Sequence, residues 1–408
     1  MEEEKRETTP SVMSPADPGS KANQSFPSTT QISRPYFTSS EISYLHSKSI
    51  DDNHKTQYNR TKHQIYQFAF QIVKQLKFPL RVLATTMNYY QRFYLFNKFH
   101  PKEENVDVVD LERDPYIVTV ACLFLASKNE DCIKKLKDIQ TVANKLRDID
   151  ENKKVKELPT TSSNGGNSNG NGSNSTYTVA DLQRKSIMSL EFKLLQIIKF
   201  DFNNGATLSI KSSDELVTQF CKKLDINYKL SLFSWLINFD LISSPLCLSI
   251  PPHCIALAII IIALNLKPKE LKMTHELVDE EDDEQLNEKL ETIDSYGDFR
   301  CPEVLVNEGI IYILDYYIHQ YSHSILNQYL PHIDAQTGKE QIFKFMELKS
   351  RFNDLKILNE YSCSSRASLQ QDNYLQLWDY SVPSKGTGRF MLGNKRRRFA
   401  KELDEAIS

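Results

Sequence analysis

Asp114–Asp131 reads DPYIVTVACLFLASKNED, and this stretch decides the fold. Asp114 suits a helix N-cap, and Pro115 suits the first helical position, where its missing N–H leaves nothing unsatisfied. From Tyr116 to Ala126 every residue but Thr119 is apolar, so the helix has no polar face. Such a helix must be enclosed by other helices or by lipid. A membrane span needs about 20 apolar residues, and this run is shorter. The stretch therefore predicts a central helix of an all-α domain, with Ala121 and Ala126 letting neighbours approach closely. The run stops at Lys128, Glu130 and Asp131, which carries charge to the surface at one end of the core. That end is a place to present a contact; alternatively, Lys128 only complements the negative helix C-terminus.

The flanking sequence supplies the neighbours. Ile65, Phe68, Ala69, Ile72, Val73 and Leu76 recur at spacings of three and four, and predict an amphipathic helix from near Thr61. Phe78-Pro79 ends it, and Leu83, Met87, Tyr90 and Tyr94 mark the next. After the central helix, Leu136, Ile139, Ala143 and Leu146 predict a helix over Ile133–Leu146. A fifth begins at Val179, with Ile187, Leu190, Leu194 and Ile197 as its stripe and Glu191 on its border. Upstream, Tyr36, Phe37, Ile42 and Leu45 predict a short docked helix capped by Ser39 or Ser40.

The pattern then repeats. Residues from about Thr207 to Tyr321 form a second helical block, in which IPPHCIALAIIIIALNL (Ile250–Leu266) again sets proline before an apolar run with small residues. Two blocks of similar length, each around one proline-started buried helix, indicate an internal duplication. His253, near the start of that run, reads as a helix-end or packing residue ahead of a metal ligand. The expected organisation is a disordered tail over 1–30 and a first block over 31–204, with a flexible Gly/Asn/Ser insertion at 151–177. A second block follows over 205–335 with an acidic insertion at 267–300, and then a C-terminal extension over 336–408. A short helix is expected at Ile342–Ser350. Lys395, Arg396, Arg397 and Arg398 form a basic cluster that fits a nuclear import signal or a nucleic-acid contact.

Composition narrows the function classes. With 408 residues, 40% hydrophobic, and a formal net charge of -3, the chain lacks the basic excess of a nucleic-acid coat. Its seven cysteines show no CxxC spacing, which suits a reducing compartment with no disulfide framework or zinc site. The polar N-terminus is not a secretory signal. No phosphate-binding GxxxxGK[ST] loop, HExxH, GxSxG or kinase signature set is present. A helical, duplicated chain without catalytic motifs is most economically a binding module. No metal, cofactor or membrane partner is expected.

The ACLFLASKNED segment on a middle helix, TTMNYYQRFY (Thr85–Tyr94) and EFKLLQIIKFDF (Glu191–Phe202) together resemble the cyclin family in order and spacing. The RFY ending and CIKKLKDI (Cys132–Ile139) look closest to its transcription-associated branch. SRPYF, QLKFP, YQRFYLFNKF, NYKL, IPPHCIALAI and FMELK are similar to cyclin subunits of kinases that act on the RNA polymerase II C-terminal domain.

The resemblance implies two tandem cyclin boxes of about five helices each. It also implies a regulatory subunit, not an enzyme, that allosterically activates a catalytic cyclin-dependent kinase (alpha) subunit. A third (gamma) subunit, the polymerase C-terminal repeats as substrate of the complex, a role in elongation and mRNA processing, and a nuclear location follow from it as expectations. In cyclins a Lys at the end of the middle helix and a Glu on the fifth face the kinase; here they are Lys128 and Glu191. Phe200 and Phe202 match apolar positions near that interface, and Glu130 completes the charged helix end. Lys62 and Gln91 replace the Arg–Asp pair of cell-cycle cyclins. TKHQI around His63 replaces their substrate-docking motif, and no destruction box is evident. The alternative from another class is a cyclin-fold transcription factor or adaptor that binds DNA or protein without a kinase. The former would want a zinc ribbon and a basic second block, and the sequence has neither.

Overall fold

The computed structural model describes residues 36–101, 111–156, 176–198, 212–266, 271–273, 283–295, 297–329 and 335–353, with single positions 200, 202 and 268. Among these residues the architecture is all-α. The helices are α1 (Ser39–Ser49), α2 (Lys55–Gln75), α3 (Leu80–Phe96), α4 (Pro115–Asn129), α5 (Leu136–Leu146), α6 (Val179–Ile197) and α7 (Ser213–Lys223). They continue with α8 (Tyr228–Leu241), α9 (Pro252–Leu266), α10 (Asp283–Glu291), α11 (Glu303–Gln320) and α12 (Ala335–Asn353). No described helix is long and apolar enough to cross a membrane.

Helix α4 is the predicted centre. Asp114 accepts from the Tyr116 N–H at 3.0 Å, and Pro115 opens the helix. Every residue from Ile117 to Ser127 is buried. Its neighbours are α2, α3, α5 and α6. A second constraint fixes its start: Arg147, just past α5, donates to Asp114 at 2.8 Å and lies over the Tyr116 ring at 4.4 Å. The other end turns sharply. Asp131 takes a left-handed φ of 53°, the Cys132 N–H donates to Ser127 O at 2.8 Å, and Asp131 N–H to Lys128 O at 3.3 Å. These are the paired bonds of a Schellman stop.

Helix α9 repeats the plan. It has the same 15-residue length, begins at a proline, is buried from Cys254 to Ile260, and packs on α7, α8, α10, α11 and α12. Two apolar cores result, one built on α1–α6 and one on α7–α12, with Trp235 and Ile325 packed against both. Phe239 near the end of α8, and Ile242 and Leu248 after it, belong to the first core. Polar bonds lock the halves together. Tyr66 donates to Phe239 O at 2.8 Å, Gln91 to Ser244 O at 2.8 Å, and the Phe37 N–H to Leu248 O at 2.8 Å.

Several expectations are corrected. Helix α1 is capped by Thr38, not Ser39 or Ser40, in a reciprocal capping box with Glu41. Helix α2 starts at Lys55, six residues before the apolar periodicity becomes visible. Helix α5 starts at Leu136 because the α4 stop consumes the residues before it, which leaves Ile133 70% exposed. Helix α12 spans 19 residues where a short helix was expected. The 151–177 insertion is framed by a two-stranded antiparallel ribbon, β1 (Lys154–Lys156) with β2 (Thr176–Thr178), pairing Lys156 with Thr176. The acidic insertion is not a solvated excursion throughout: Leu271, Met273, Leu286 and Phe299 are buried in the second core. The N-terminal tail, the bulk of the C-terminal extension and Lys395–Arg398 lie outside the described residues.

Candidate functional site

The end of α4 and the middle of α6 bring Lys128 and Glu191 together. Lys128 Nζ donates to Glu191 Oε1 at 2.6 Å. The Glu191 side chain is 7% exposed and that of Lys128 39%. The ammonium also sits 3.8 Å from the centroid of the Phe124 ring, one turn back on α4, in cation–π contact. The carboxylate is thus held in a fixed rotamer by a lysine that is itself held over a ring. Both helices are anchored in the core, so the pair is pre-organised rather than recruited.

Glu130 is placed beside this pair, in a different role. As the α4 C-cap it accepts from Thr85 Oγ1 at 2.6 Å and faces Arg81 Nε at 3.4 Å. These bonds tie the helix end to α3, so Glu130 shapes the corner from which Lys128 projects. Phe200 and Phe202 follow α6 and are 39% and 40% exposed. Phe200 has a φ of 58°, a conformation that costs a bulky residue free energy and tends to persist where function requires it. Its N–H donates to Leu195 O at 2.9 Å.

Three further exposed apolar residues, on α6 and just after α4, escaped the sequence reading. Met188 and Phe192 are 49% and 39% exposed and lie four positions apart on one side of α6; Met188 is one turn before Glu191, and Phe192 is the next residue after it. The signal was present: both lie off the Ile187/Leu190/Leu194/Ile197 stripe, at a spacing that repeats once. Ile133 was read as the first residue of the helix that follows α4, and the α4 stop instead leaves it outside that helix and exposed. This corner thus combines a buried carboxylate and its lysine with exposed large apolar groups on α6 and just beyond it.

The two positions where cell-cycle cyclins carry an ion pair are also resolved. Gln91 is buried and bonded to Ser244 of the second half. Lys62 is half-buried, its ammonium 5.9 Å from the Tyr58 ring centroid, and burial lowers its pKa to about 8. His63, at the replaced docking motif, packs on His323 with ring centroids 4.8 Å apart.

Fold and site together define a class. The cyclin N-terminal domain family matches residues 33–203, the first helical half of the chain. Among its relatives is the CTD kinase subunit beta of Saccharomyces cerevisiae, 28% identical over 324 residues, covering 79% of this chain and 81% of the relative. The CTD kinase subunit beta of Schizosaccharomyces pombe is 26% identical over 58% of this chain and 59% of its own length. Among solved structures, a chain of the yeast RNA Pol II CTD kinase CTDK-1 complex superposes with a TM-score of 0.57 at 26% identity. That match covers 85% of this chain and 96% of the other.

Proposed function

We propose that this chain is the regulatory cyclin subunit of a CTD kinase. It binds a catalytic cyclin-dependent kinase subunit and holds it in the active arrangement, and the complex phosphorylates the C-terminal repeats of RNA polymerase II in the nucleus. The chain supplies no bond-making chemistry of its own, and a third subunit completes the assembly. The similarity to CTD kinase beta subunits, running through both helical halves, supports the reading of the complex and its substrate. The observation that carries the mechanism is the half-open face: Glu191 buried and paired to Lys128, amid exposed Met188, Phe192, Phe200 and Phe202.

The mechanism is a population shift. A kinase of this kind needs the ion pair between its ATP-anchoring Lys and its regulatory-helix Glu, and without a partner that helix is turned away. A subunit that binds only the inward arrangement moves the equilibrium toward it. Going from 1:99 to 99:1 takes about 5.5 kcal/mol of differential affinity. A standard interface of roughly 1,200–2,000 Å² supplies that when it has well-packed anchors. The exposed apolar groups are the area, and the Lys128–Glu191 pair is the polar anchor at its centre. Because the core beneath is rigid, little ordering cost is left for the moment of binding.

Reconstitution tests the reading. The purified chain, the purified kinase subunit, and the two together are assayed on heptad-repeat peptides. Phosphorylation is expected only when the chain is added to its kinase. Peptide phosphorylation by the chain alone, or no gain in kinase activity on mixing, would overturn it.

A further inference from the structure

The start of α9 holds a group of side chains that the partner-binding face does not use. His253 and Cys254 occupy the first turn, directly after Pro252, and Cys301 lies just before α11. One ligand atom from each converges, all within 4.8 Å of one another. Cys254 and Cys301 are fully buried, and His253 is half-buried. Cys301 is fixed in place: its N–H donates to Ser295 O at 2.8 Å and its thiol to Phe299 O at 3.4 Å. Absent CxxC spacing concealed this group in the sequence, because the fold, not a local turn, brings the two cysteines together.

We propose that His253, Cys254 and Cys301 form a zinc site. Two thiolates and an imidazole are a known zinc donor set, one that leaves the fourth position open. Tetrahedral coordination at about 2.3 Å from each sulfur places two sulfurs roughly 3.8 Å apart. The ligand atoms lie within 4.8 Å of one another, so contraction of the sulfur pair is at most about 1 Å, within reach of small side-chain rotations. Loading displaces one proton from each thiol to solvent, so the ion's two positive charges meet two thiolates and the site is neutral. Without metal, the Cys301 thiol and burial both raise the Cys254 pKa, so the ion itself has to displace the proton, as a coordinating cation does. The fourth position, on the half-exposed His253 side, takes water.

The site has a structural task. Between Leu266 and Cys301 the chain passes through the charged segment that contains α10, which touches the second core at Leu271, Met273, Leu286 and Phe299, and it returns to the main helices at Cys301. Zinc would tie the return point to the start of the central helix. In the first half the start of α4 is tied down by Arg147 on Asp114. The metal would do for α9 what that ion pair does for α4.

The test uses the full chain purified without chelators, with its kinase subunit bound if that is needed for solubility. Zinc content after desalting is measured by mass spectrometry, and cobalt(II) is then substituted and its spectrum recorded. About one zinc per chain is expected, with tetrahedral cobalt bands and thiolate-to-cobalt charge transfer. Cys254→Ser and Cys301→Ser should each abolish the retained metal. His253→Ala, at a half-buried position that the core does not depend on, should keep the fold by circular dichroism and lose metal about tenfold more readily. Wild-type zinc no higher than that of Cys254→Ser, an octahedral cobalt spectrum, or a Cys254–Cys301 disulfide in freshly purified protein would each overturn the proposal. His253→Ala with wild-type retention would do the same if the serine variants failed to fold.

Discussion

The two central helices, α4 and α9, have the same length, the same proline start and the same enclosure, yet their C-terminal ends differ. Helix α4 ends in Lys128 and Glu130, stops in a tight turn, and leaves Lys128 projecting beside Glu191. Helix α9 ends in Asn265 and Leu266 and is closed over by its own chain. Leu271 and Met273 are buried there, Gln341 of α12 donates to Leu271 O, and α10 and α12 pack alongside. A duplicated scaffold has thus kept one end open and plugged the other. Burial of a helix on all sides builds a rigid core in both halves. On the proposed reading, the uncovered end of the first half is the surface that takes the kinase.

The sharpest test of that contrast swaps a residue at each end. Glu191→Ala strands Lys128 and empties a buried polar position at the open end. Kinase binding should weaken by about 2–5 kcal/mol, the usual cost of removing one member of a desolvated interface pair. Asn265→Ala removes the bond from Asn265 Nδ2 to Ile261 O at 2.8 Å at the plugged end, and should leave kinase affinity unchanged. Titrations of the purified chain against its kinase measure both. Equal losses from the two changes, or wild-type affinity for Glu191→Ala, would remove the distinction between the ends.

In the second half the enclosure of α9 includes a close helix–helix approach at a glycine. Gly309 of α11 faces α9 so closely that a Cβ there would lie 3.3 Å from Ala258 Cβ and 3.5 Å from Ile250 Cδ1. Gly309→Val forces extra methyl groups into that seam. It should destabilise the chain by about 1–3 kcal/mol, the cost of overpacking a close-packed core. Denaturant unfolding gives the value. Kinase affinity of the folded variant should be unaltered, since α11 is remote in the fold from the α4–α6 corner.

The halves also titrate in opposite directions. His46 of α1 is buried against Tyr58 and faces the positive Lys62 and Lys55, and its pKa falls from 6.5 to about 4. The folded chain therefore refuses a proton that the unfolded chain accepts, and this contribution to stability is lost as pH falls from about 6.5 toward 4. Asp240 of α8 is raised from 3.8 to about 7 by burial, although it accepts from Tyr317 Oη at 3.0 Å and the Ile325 N–H at 2.7 Å. Its protonated form is favoured on folding, so its contribution grows as pH falls from about 7 toward 4. The two oppose each other across nearly the same window, each by at most about 1.4 kcal/mol per pH unit. Asp240→Asn should unmask a loss of thermal stability on acidification, and His46→Gln a gain. Parallel pH profiles for the two variants would refute the assignment.

Much of this was legible in the sequence, for physical reasons that differ by residue. An apolar run without a polar face can only be enclosed, so α4 and α9 and their proline starts could be read directly. Lys128 and Glu191 entered as site residues through resemblance, since periodicity alone leaves a charged helix end ambiguous. Their direct pairing depends on how α4 crosses α6, which no local pattern encodes. Ile133 was misplaced because a Schellman stop with Asp131 in the left-handed position lacks the glycine that usually announces it. The convergence of Cys254 and Cys301 was hidden for the same kind of reason, being a product of tertiary packing. Residues Leu271, Met273 and Leu286 were lost against the acidic composition that surrounds them, although each is apolar.

The smallest expected effect concerns the first half's insertion, and the contrast with the second half explains it. The acidic insertion sends apolar residues back into its core, whereas the Gly/Asn/Ser run of residues 160–175 has none to send. What brackets that run is the β1–β2 ribbon, which pairs Lys156 with Thr176 and so holds the two ends side by side. Deleting Thr160–Ser175 leaves Glu157, Leu158 and Pro159 to join them, and three residues are a common length for a hairpin connection. Helix α6 starts directly after β2, so the register that sets Glu191 is preserved. Kinase activation by the deletion variant should equal that of the full chain, within the error of a heptad-peptide assay. A clear loss would mean that the run contacts the kinase or its substrate, and the open face would then extend beyond the α4–α6 corner.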